Sequence, residues 1–504
     1  MKKYLYGIIN IGASAFRMAV SEIEKDSIKE IDYLLKPLRL GVDTFSQGYI
    51  SLEHVKQAAT ILRGFKCKLD EYGIKHYKAV CTSGVREAGN KDFFVDYVKI
   101  HAGIDITILE PAEEVYIKYL AAKLSVAGFD NMEKEGVVFA NIASGNITLA
   151  VTKRDNILYS GALPYGSLRL RQMFRHISPL KRHRAFDQYA ENMVATVAGT
   201  INKKMKVKNL VGSGSSINMM LRIFNPKDKF ILREDLERFY NKIRVYTKQE
   251  LVDELLLRDD EAEVLVPTLC IYIHLLKYTG ADRFHFSPVD FPTTLTQFYT
   301  GSLKDRSYHK RVKNTTLALG ERFNIDTIHA RRAAKFAKKL FTEFDDLHSL
   351  DKSKYDILEM AAFLFQVGEY IDAKKAAYNS YYIIKSISIP GISSRDIFLT
   401  ACVVYNMNSI LNHNESIEGN YFSPEERLMI NKLSCILRMA VSFDASKTGS
   451  IEDIDIVQND NMIIINAKAV KEPFVELFTF EKVKHTFVET FGIQVDIRIK
   501  MIYD

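Results

Sequence analysis

The sequence predicts an α/β protein made by duplication, with a cleft between its two halves, followed by an all-helical domain and a small α+β unit. Three observations carry this. In the first half, strand-like runs alternate with amphipathic helical ones, and the alternation restarts at Gly136. A small-residue turn occurs twice, as NIGASAFRMAV (Asn10–Val20) and NIASGNITLAV (Asn141–Val151). From about Gly301 the strands give way to long amphipathic helices. The expected boundaries are 1–125 and 126–300 for the α/β halves, 301–448 for the helical domain and 449–504 for the last unit.

The elements follow in order. YGIINIG and AFRMAVSEI are strands on either side of the first turn. Ser51–Gly73 is a helix that Ser51 caps, HYKAVCTSG is a strand ending in a polar turn, and NKDFFVDYVKIHAG is a helix closed by Gly103. IDITIL is a strand, and PAEEVYIKYLAAKLS is a helix with Pro111 in its first turn. The second half repeats the opening: GVVFANI, a turn, ITLAVTK, a turn at Arg154–Asn156, then ILYSGALPYG. DTIHARRAAKFAKKLFTEF, KYDILEMAAFLFQVGEYI and PEERLMINKLSCILRMAVSF are the long helices. After Gly449 the pattern is β-β-α-β, with QNDN as the hairpin turn and a helix around Glu472–Phe491.

Composition narrows the class. Of 504 residues, 47% are hydrophobic and 26% charged, which is enough apolar residue for sizeable cores. A net charge of +7 on this length permits an anionic partner without demanding one. Five scattered cysteines with no C-x-x-C pair are expected to be reduced and buried. No apolar run is long enough to span a membrane; VLVPTLCIYIHLL (Val264–Leu276) is short, contains Pro267 and His274, and is expected to be a buried helix. The N-terminus has two lysines, an apolar stretch and an A-x-A ending at Ala15, like a signal peptide. Gly7, Asn10 and two tyrosines interrupt it, and the pattern recurs at Asn141, where no signal peptide can stand, so a cytoplasmic location is expected.

The two turns have a physical logic. Small side chains let backbone N–H groups approach a phosphate closely, and two such turns facing across a cleft hold a polyanion from both sides. Two ordinary hairpins are the competing reading.

Six motifs in order then carry a resemblance: NIGASAFRM, LRLG with QGYIS, CTSGVREAGN (Cys81–Asn90), ILEPAEEVYIKYL, LPYGSLRL (Leu163–Leu170) and LVGSGSSI (Leu210–Ile217). Together they resemble the exopolyphosphatase/guanosine-pentaphosphatase family, within the actin-like ATPase (ribonuclease H-like) superfamily. The resemblance implies two actin-like domains and a hydrolase that releases terminal phosphate from inorganic polyphosphate or guanosine pentaphosphate. It places Glu114 as general base on water, at a helix N-terminus where a carboxylate is favoured. Arg86 matches a phosphate-binding arginine, whose fork suits two phosphate oxygens. Gly12, Ala13 and Ser14 match the first phosphate turn, Ser144, Gly145 and Asn146 the second, and Gly212, Ser213 and Gly214 a third loop. Arg17 and Arg169 are further candidates for neutralising substrate.

The chain departs from the family at Asn10 and Asn141, where the resemblance places metal-site aspartates, and at Thr148, where it places a glutamate. Mg²⁺ or another divalent cation is the implied cofactor, but hard cations prefer carboxylate oxygens and three are replaced. Ala143 and Ser144 add side-chain atoms where the family has glycines, crowding a phosphate. The helical domain resembles a His-Asp (HD-like) hydrolase domain in degenerate form: His329 stands at its first motif, while Phe365 and Gln366 replace the metal-binding His-Asp. A lone His329 is expected to be structural. The basic stretches Lys181–Arg184, Lys203–Lys208, His309–Lys313 and Arg331–Lys339 are candidates for a polyanion path, with a solvated surface as the commoner reading. No nucleic-acid motif accompanies them, so nucleic acid and membrane are not expected as partners. A phosphoanhydride hydrolase is the leading expectation and a non-catalytic polyphosphate- or nucleotide-binding regulator the alternative. An ATPase of the same fold is a third option, lacking its aspartates here. A homodimer is left open.

Overall fold

The computed structural model describes residues 3–502 apart from 26, 155, 175, 201–206, 215, 227–229, 289, 304–307, 409–421 and 460–461. The chain forms two compact units, Met1–Tyr308 and His309–Asp504.

The first unit holds two sheets. β1 (Tyr4–Ile11), β2 (Ala15–Glu24) and β3 (Ser27–Pro37) form an antiparallel meander. β4 (Tyr77–Cys81) adds parallel to β1, and β5 (Ile106–Ile108) parallel to β4, so the order is β3-β2-β1-β4-β5. The second sheet repeats this. β6 (Val137–Ile142), β7 (Ile147–Lys153) and β8 (Asn156–Leu163) are the meander. β9 (Asn209–Ser213) lies parallel to β6, β10 (Phe230–Leu232) takes the far edge, and β11 (Arg283–Phe286) lies parallel to β9. Its order, β8-β7-β6-β9-β11-β10, is the first sheet's with one edge strand added. The duplication expected from two similar turns is thus a duplication of topology, in keeping with the actin-like architecture that the resemblance implies.

The registers match as well. Asn10 sits opposite Arg17 across the first hairpin, and Asn141 opposite Thr148 across the second. β1 and β6 are flanked on both edges, so apart from Asn10 and Asn141 their buried stretches are apolar without alternation. Ile8, Ile9 and Ile11 are all fully buried, each contributing about 1.5–3 kcal/mol.

The predicted helices form for the expected reasons. The Ser51 hydroxyl accepts from the His54 N–H at 3.4 Å and starts the helix Leu52–Glu71, which buries Val55, Ala58, Leu62, Phe65 and Leu69 in the first core. Gly103, at φ 67°, ends the helix Lys91–Ala102 in the left-handed conformation that glycine tolerates. The run containing Pro267 lies inside the largely buried helix Asp259–Thr279. The helix Phe291–Tyr299 was not anticipated. Asp290 caps it, and its Leu295 packs with Ile8, Ala19, Val80 and Ile117, returning the chain from the second sheet to the first.

The second unit is helical, with a three-stranded sheet at its end. β12 (Ile451–Asn459) pairs antiparallel with β13 (Met462–Ala469), and β14 (Gln494–Met501) pairs parallel with β13 after the helix Phe474–Phe491. This is the β-β-α-β order expected. Part of the QNDN turn and most of the 203–208 basic stretch lie outside the described residues. Arg332, Lys335 and Lys339 of the 331–339 stretch bond to β12 through Ile451, Glu452, Asp453 and Asp455, so those charges hold the sheet.

One expectation about cysteine needs correction. Four cysteines are buried thiols, but Cys67 is exposed, because it falls on the solvent side of its amphipathic helix. Among the described residues, no helix is long and apolar enough to cross a membrane.

Candidate functional site

The two small-residue turns meet across a pocket in the first unit. Asn10, Gly12, Ala13, Ser14 and Arg17 line it from the first turn, and Asn141, Ser144, Gly145 and Asn146 from the second. Ser213 and Gly214 add the third loop, while Glu114 and Lys118 come from the helix Pro111–Ser125. Of the residues singled out in the α/β halves, Arg86, Thr148, Arg169 and Gly212 do not line this pocket.

Each turn is a tight hairpin. Gly12 N–H donates to the Ala15 carbonyl at 3.1 Å, and Ala143 N–H to that of Asn146 at 3.0 Å. Ser14 Oγ and Ser144 Oγ lie 3.0 Å apart, so the two turn tips touch. A Cβ on Gly145 would run into the Phe45 ring and the Ser83 hydroxyl. Glycine therefore serves packing between the halves here, as well as any ligand. Gly214, at φ 116°, brings the third loop against the Ile142 carbonyl.

Glu114 is 1% exposed, and both its oxygens are taken. Lys118 Nζ donates to Oε1 at 2.5 Å and Arg86 Nη1 to Oε2 at 3.0 Å. Arg86 also donates to the Leu109 carbonyl at 2.6 Å, which anchors it to the end of β5. Burial pushes the Glu114 carboxyl up, but Lys118 and then Arg86 outweigh it and hold the group below its ordinary value. Glu114 is an ionised, acceptor-only carboxylate at neutral pH.

Lys118 was not singled out in the sequence. It lies one turn after Glu114 on the same helix face, and that spacing was its only local signal. Its ammonium also donates to Asn141 Oδ1 at 3.0 Å and sits over the Phe291 ring, 4.7 Å from the centroid. The Asn141 amide nitrogen in turn donates to Ser213 Oγ at 3.2 Å. Asn10 Oδ1 and both polar atoms of Asn146, two residues that line the pocket, are buried with no hydrogen-bond partner, as is Thr148 Oγ1 away from it. Unpartnered polar atoms facing a pocket are costly unless a ligand or water meets them.

Arg169 is structural in this arrangement. Its Nε donates to the Gly145 carbonyl at 3.0 Å, its Nη2 pairs with Glu87 at 2.5 Å, and its guanidinium stacks on Phe45 at 4.1 Å. Gly212 lies within β9 under Phe284 and Tyr272. In the second unit, His329 is not alone. Its Nδ1 lies 2.8 Å from Asp444 Oδ2, Arg332 pairs with the other oxygen at 3.2 Å, and the Phe365 ring covers the imidazole at 5.5 Å. Gln366 Oε1 is buried nearby in sequence without a partner. One imidazole and one carboxylate, both already committed, do not make a metal centre.

Residues 19–289 match the Ppx/GppA phosphatase family, and residues 312–475 match Ppx/GppA phosphatase, domain III. The chain is 22% identical over 395 residues to a guanosine-5'-triphosphate,3'-diphosphate pyrophosphatase of Photobacterium profundum, covering 77% of each protein. It is 24% identical over 304 residues to a bifunctional 3-dehydroquinate synthase/phosphatase of Fusobacterium nucleatum, covering 55% of this chain and 44% of that one. The chain therefore spans less than half the length of that relative. Among solved structures, an exopolyphosphatase from Cytophaga hutchinsonii shares 20% identity at TM-score 0.52, over 59% of this chain and 98% of its own. The Aquifex aeolicus Ppx/GppA protein shares 18% at TM-score 0.50, over 60% and 100%. At these identities the structures speak for the fold alone. The family models reach further, since the first matches residues 19–289, more than half of the chain, and on that ground this protein belongs to the Ppx/GppA phosphatase family.

Proposed function

We propose that the chain is a cytoplasmic phosphoanhydride hydrolase that releases the terminal phosphate of inorganic polyphosphate or guanosine pentaphosphate. The observation that carries this is the ionised Glu114 carboxylate at the floor of a pocket lined by both small-residue turns. In this reading a phosphate chain enters between the turns. Among the described residues, the N–H groups of Ala13, Ser14, Ser144 and Gly145 donate to no backbone acceptor, and they meet its oxygens. Arg17 neutralises charge at the pocket wall, and Arg86 does so through the Glu114 pair. Water attacks the terminal phosphorus as the anhydride bond breaks, the shortened chain leaves with the bond's electrons, and Glu114 takes the water's proton. The domain division at residues 125, 300 and 448 belongs to the same proposal.

Enzymes of this family typically use divalent metals. The residues here do not fit one: Asn10 and Asn141 are neutral amides, Thr148 replaces a carboxylate, and the Lys118 ammonium bridges Glu114 and Asn141. No step above passes through a metal.

A second reading, a polyphosphate- or nucleotide-binding regulator, is favoured by a specific observation. Both Glu114 oxygens are bound to cations, which lowers their basicity toward water. The test is phosphate release from long-chain polyphosphate and from guanosine pentaphosphate, in Mg²⁺, in Mn²⁺ and in chelator, beside Glu114→Gln. Release that the variant abolishes supports the hydrolase. Tight binding without release supports the regulator, and neither binding nor release removes both.

A further inference from the structure

We infer that Lys118 is a built-in cation, whose tethered ammonium does the electrostatic work of a divalent ion, so that the pocket takes a phosphate chain without metal. This rests on the phosphate-chain reading of the same pocket.

The geometry is that of a bridging cation. Lys118 Nζ joins the Glu114 carboxylate and the Asn141 amide oxygen, which come from different elements on either side of the pocket floor. The Phe291 face supplies a third, electron-rich contact. The ammonium is nearly dry, with Lys118 9% exposed, and its stem is fixed by the helix that also carries Glu114. An ammonium has three N–H donors; Glu114 and Asn141 take two, and a phosphate oxygen would take the third.

The neighbouring residues suit an ammonium and oppose a second cation. With Glu114 between Lys118 and Arg86, the charges at the floor already sum to positive, and Arg17 on the wall adds to them. Asn10 and Asn141 contribute no negative charge to offset a divalent ion. Amides also carry N–H donors that carboxylates lack, and the Asn146 amide nitrogen is buried without a partner beside the pocket. A site that draws its positive charge from Lys118 needs no carboxylate cage.

Two measurements on the full chain test this. In the first, Mn²⁺ is titrated into the metal-free wild-type protein and followed by electron paramagnetic resonance. No bound ion that Glu114→Gln removes is expected. A triple variant, Lys118→Met with Asn10→Asp and Asn141→Asp, should gain one. A wild-type Mn²⁺ ion lost in Glu114→Gln would overturn the inference, and that outcome needs no other variant to fold. In the second, long-chain polyphosphate binding is measured calorimetrically in chelator and in excess Mg²⁺. Affinity within about three-fold in the two conditions is expected, with a loss of at least about ten-fold for Lys118→Met in chelator. Binding that requires Mg²⁺ would overturn the inference and leave the phosphate-chain reading standing. Absence of binding in both conditions would remove the phosphate-chain reading, while the Mn²⁺ titration still decides the role of Lys118.

Discussion

Ser14 Oγ and Ser144 Oγ stand 3.0 Å apart although they belong to turns in different halves of the duplicated fold. The bond joins the tips of the hairpins between which a phosphate chain would pass. A phosphate entering there must replace it. Ser144→Gly removes one partner and the crowding its side chain brings. The variant should lose about 1 kcal/mol of stability, the net worth of one such bond. Its affinity for tripolyphosphate should rise about five-fold. Urea unfolding and calorimetric titration read the two effects. An unchanged or weakened affinity would mean that the serines bind the ligand.

Glu114 lies between two cations in a nearly dry site, so it is central to the fold of the pocket as well as to any chemistry. Glu114→Gln leaves Lys118 and Arg86 without their buried counter-charge and should cost about 3–5 kcal/mol. The folded carboxyl titrates below its ordinary value of 4.5. Its contribution is therefore fully present above about pH 4.5 and is lost as pH falls through the lower, folded value. Wild type should lose stability in that acid window, and Glu114→Gln should lose less of it. Denaturant midpoints across the window check this. Parallel curves for the two proteins would refute the ion-pair account.

Much of the fold was legible because it was local. The paired turns, the Ser51 cap and the Gly103 stop each declare themselves within a few residues. The site was only half legible. Glu114, Asn10 and Asn141 stand out through the resemblance of their surroundings, but Lys118 reads as an ordinary helical lysine. Its meaning depends on Asn141 and Phe291, which reach it only after the chain has crossed to the second sheet and returned. Arg169 failed the opposite way. A basic residue after LPYGSL resembles a phosphate ligand until Glu87 and Phe45, from the other half, are seen to hold it. The same holds for Asp444, whose bond to His329 joins residues far apart in sequence.

The His329–Asp444 pair should matter for stability and not for phosphate chemistry. Asp444 is 1% exposed, and His329 is its buried partner at 2.8 Å. His329→Ala leaves that carboxylate with Arg332 and the Gly449 N–H, both on its other oxygen, a loss of about 3 kcal/mol. His329→Asn, which keeps a donor, should recover part of it. Polyphosphate binding measured in folding conditions should be the same for all three proteins. A change in binding without a change in stability would assign the second unit a direct role in the ligand site.

A second pH-sensitive group lies in the second sheet, and its sign is opposite to that of a histidine raised by an ion pair. His285 on β11 is buried against Asn209, 3.0 Å from its Oδ1, and burial with the nearby Arg283 charge lowers its pKa from 6.5 to about 4. The unfolded chain thus binds a proton between those values that the folded chain refuses. Stability is fully present above pH 6.5, falls as pH drops from 6.5 toward 4, and levels off below. The shift corresponds to about 3 kcal/mol across the window. His285→Gln keeps a hydrogen-bonding group opposite Asn209 and removes the titration, so its stability should stay nearly flat there. The window lies above the one assigned to Glu114, so urea midpoints taken every half unit separate the two groups. If wild type and His285→Gln decline together between pH 6.5 and 4, the imidazole is protonated in the fold and another group carries the acid sensitivity.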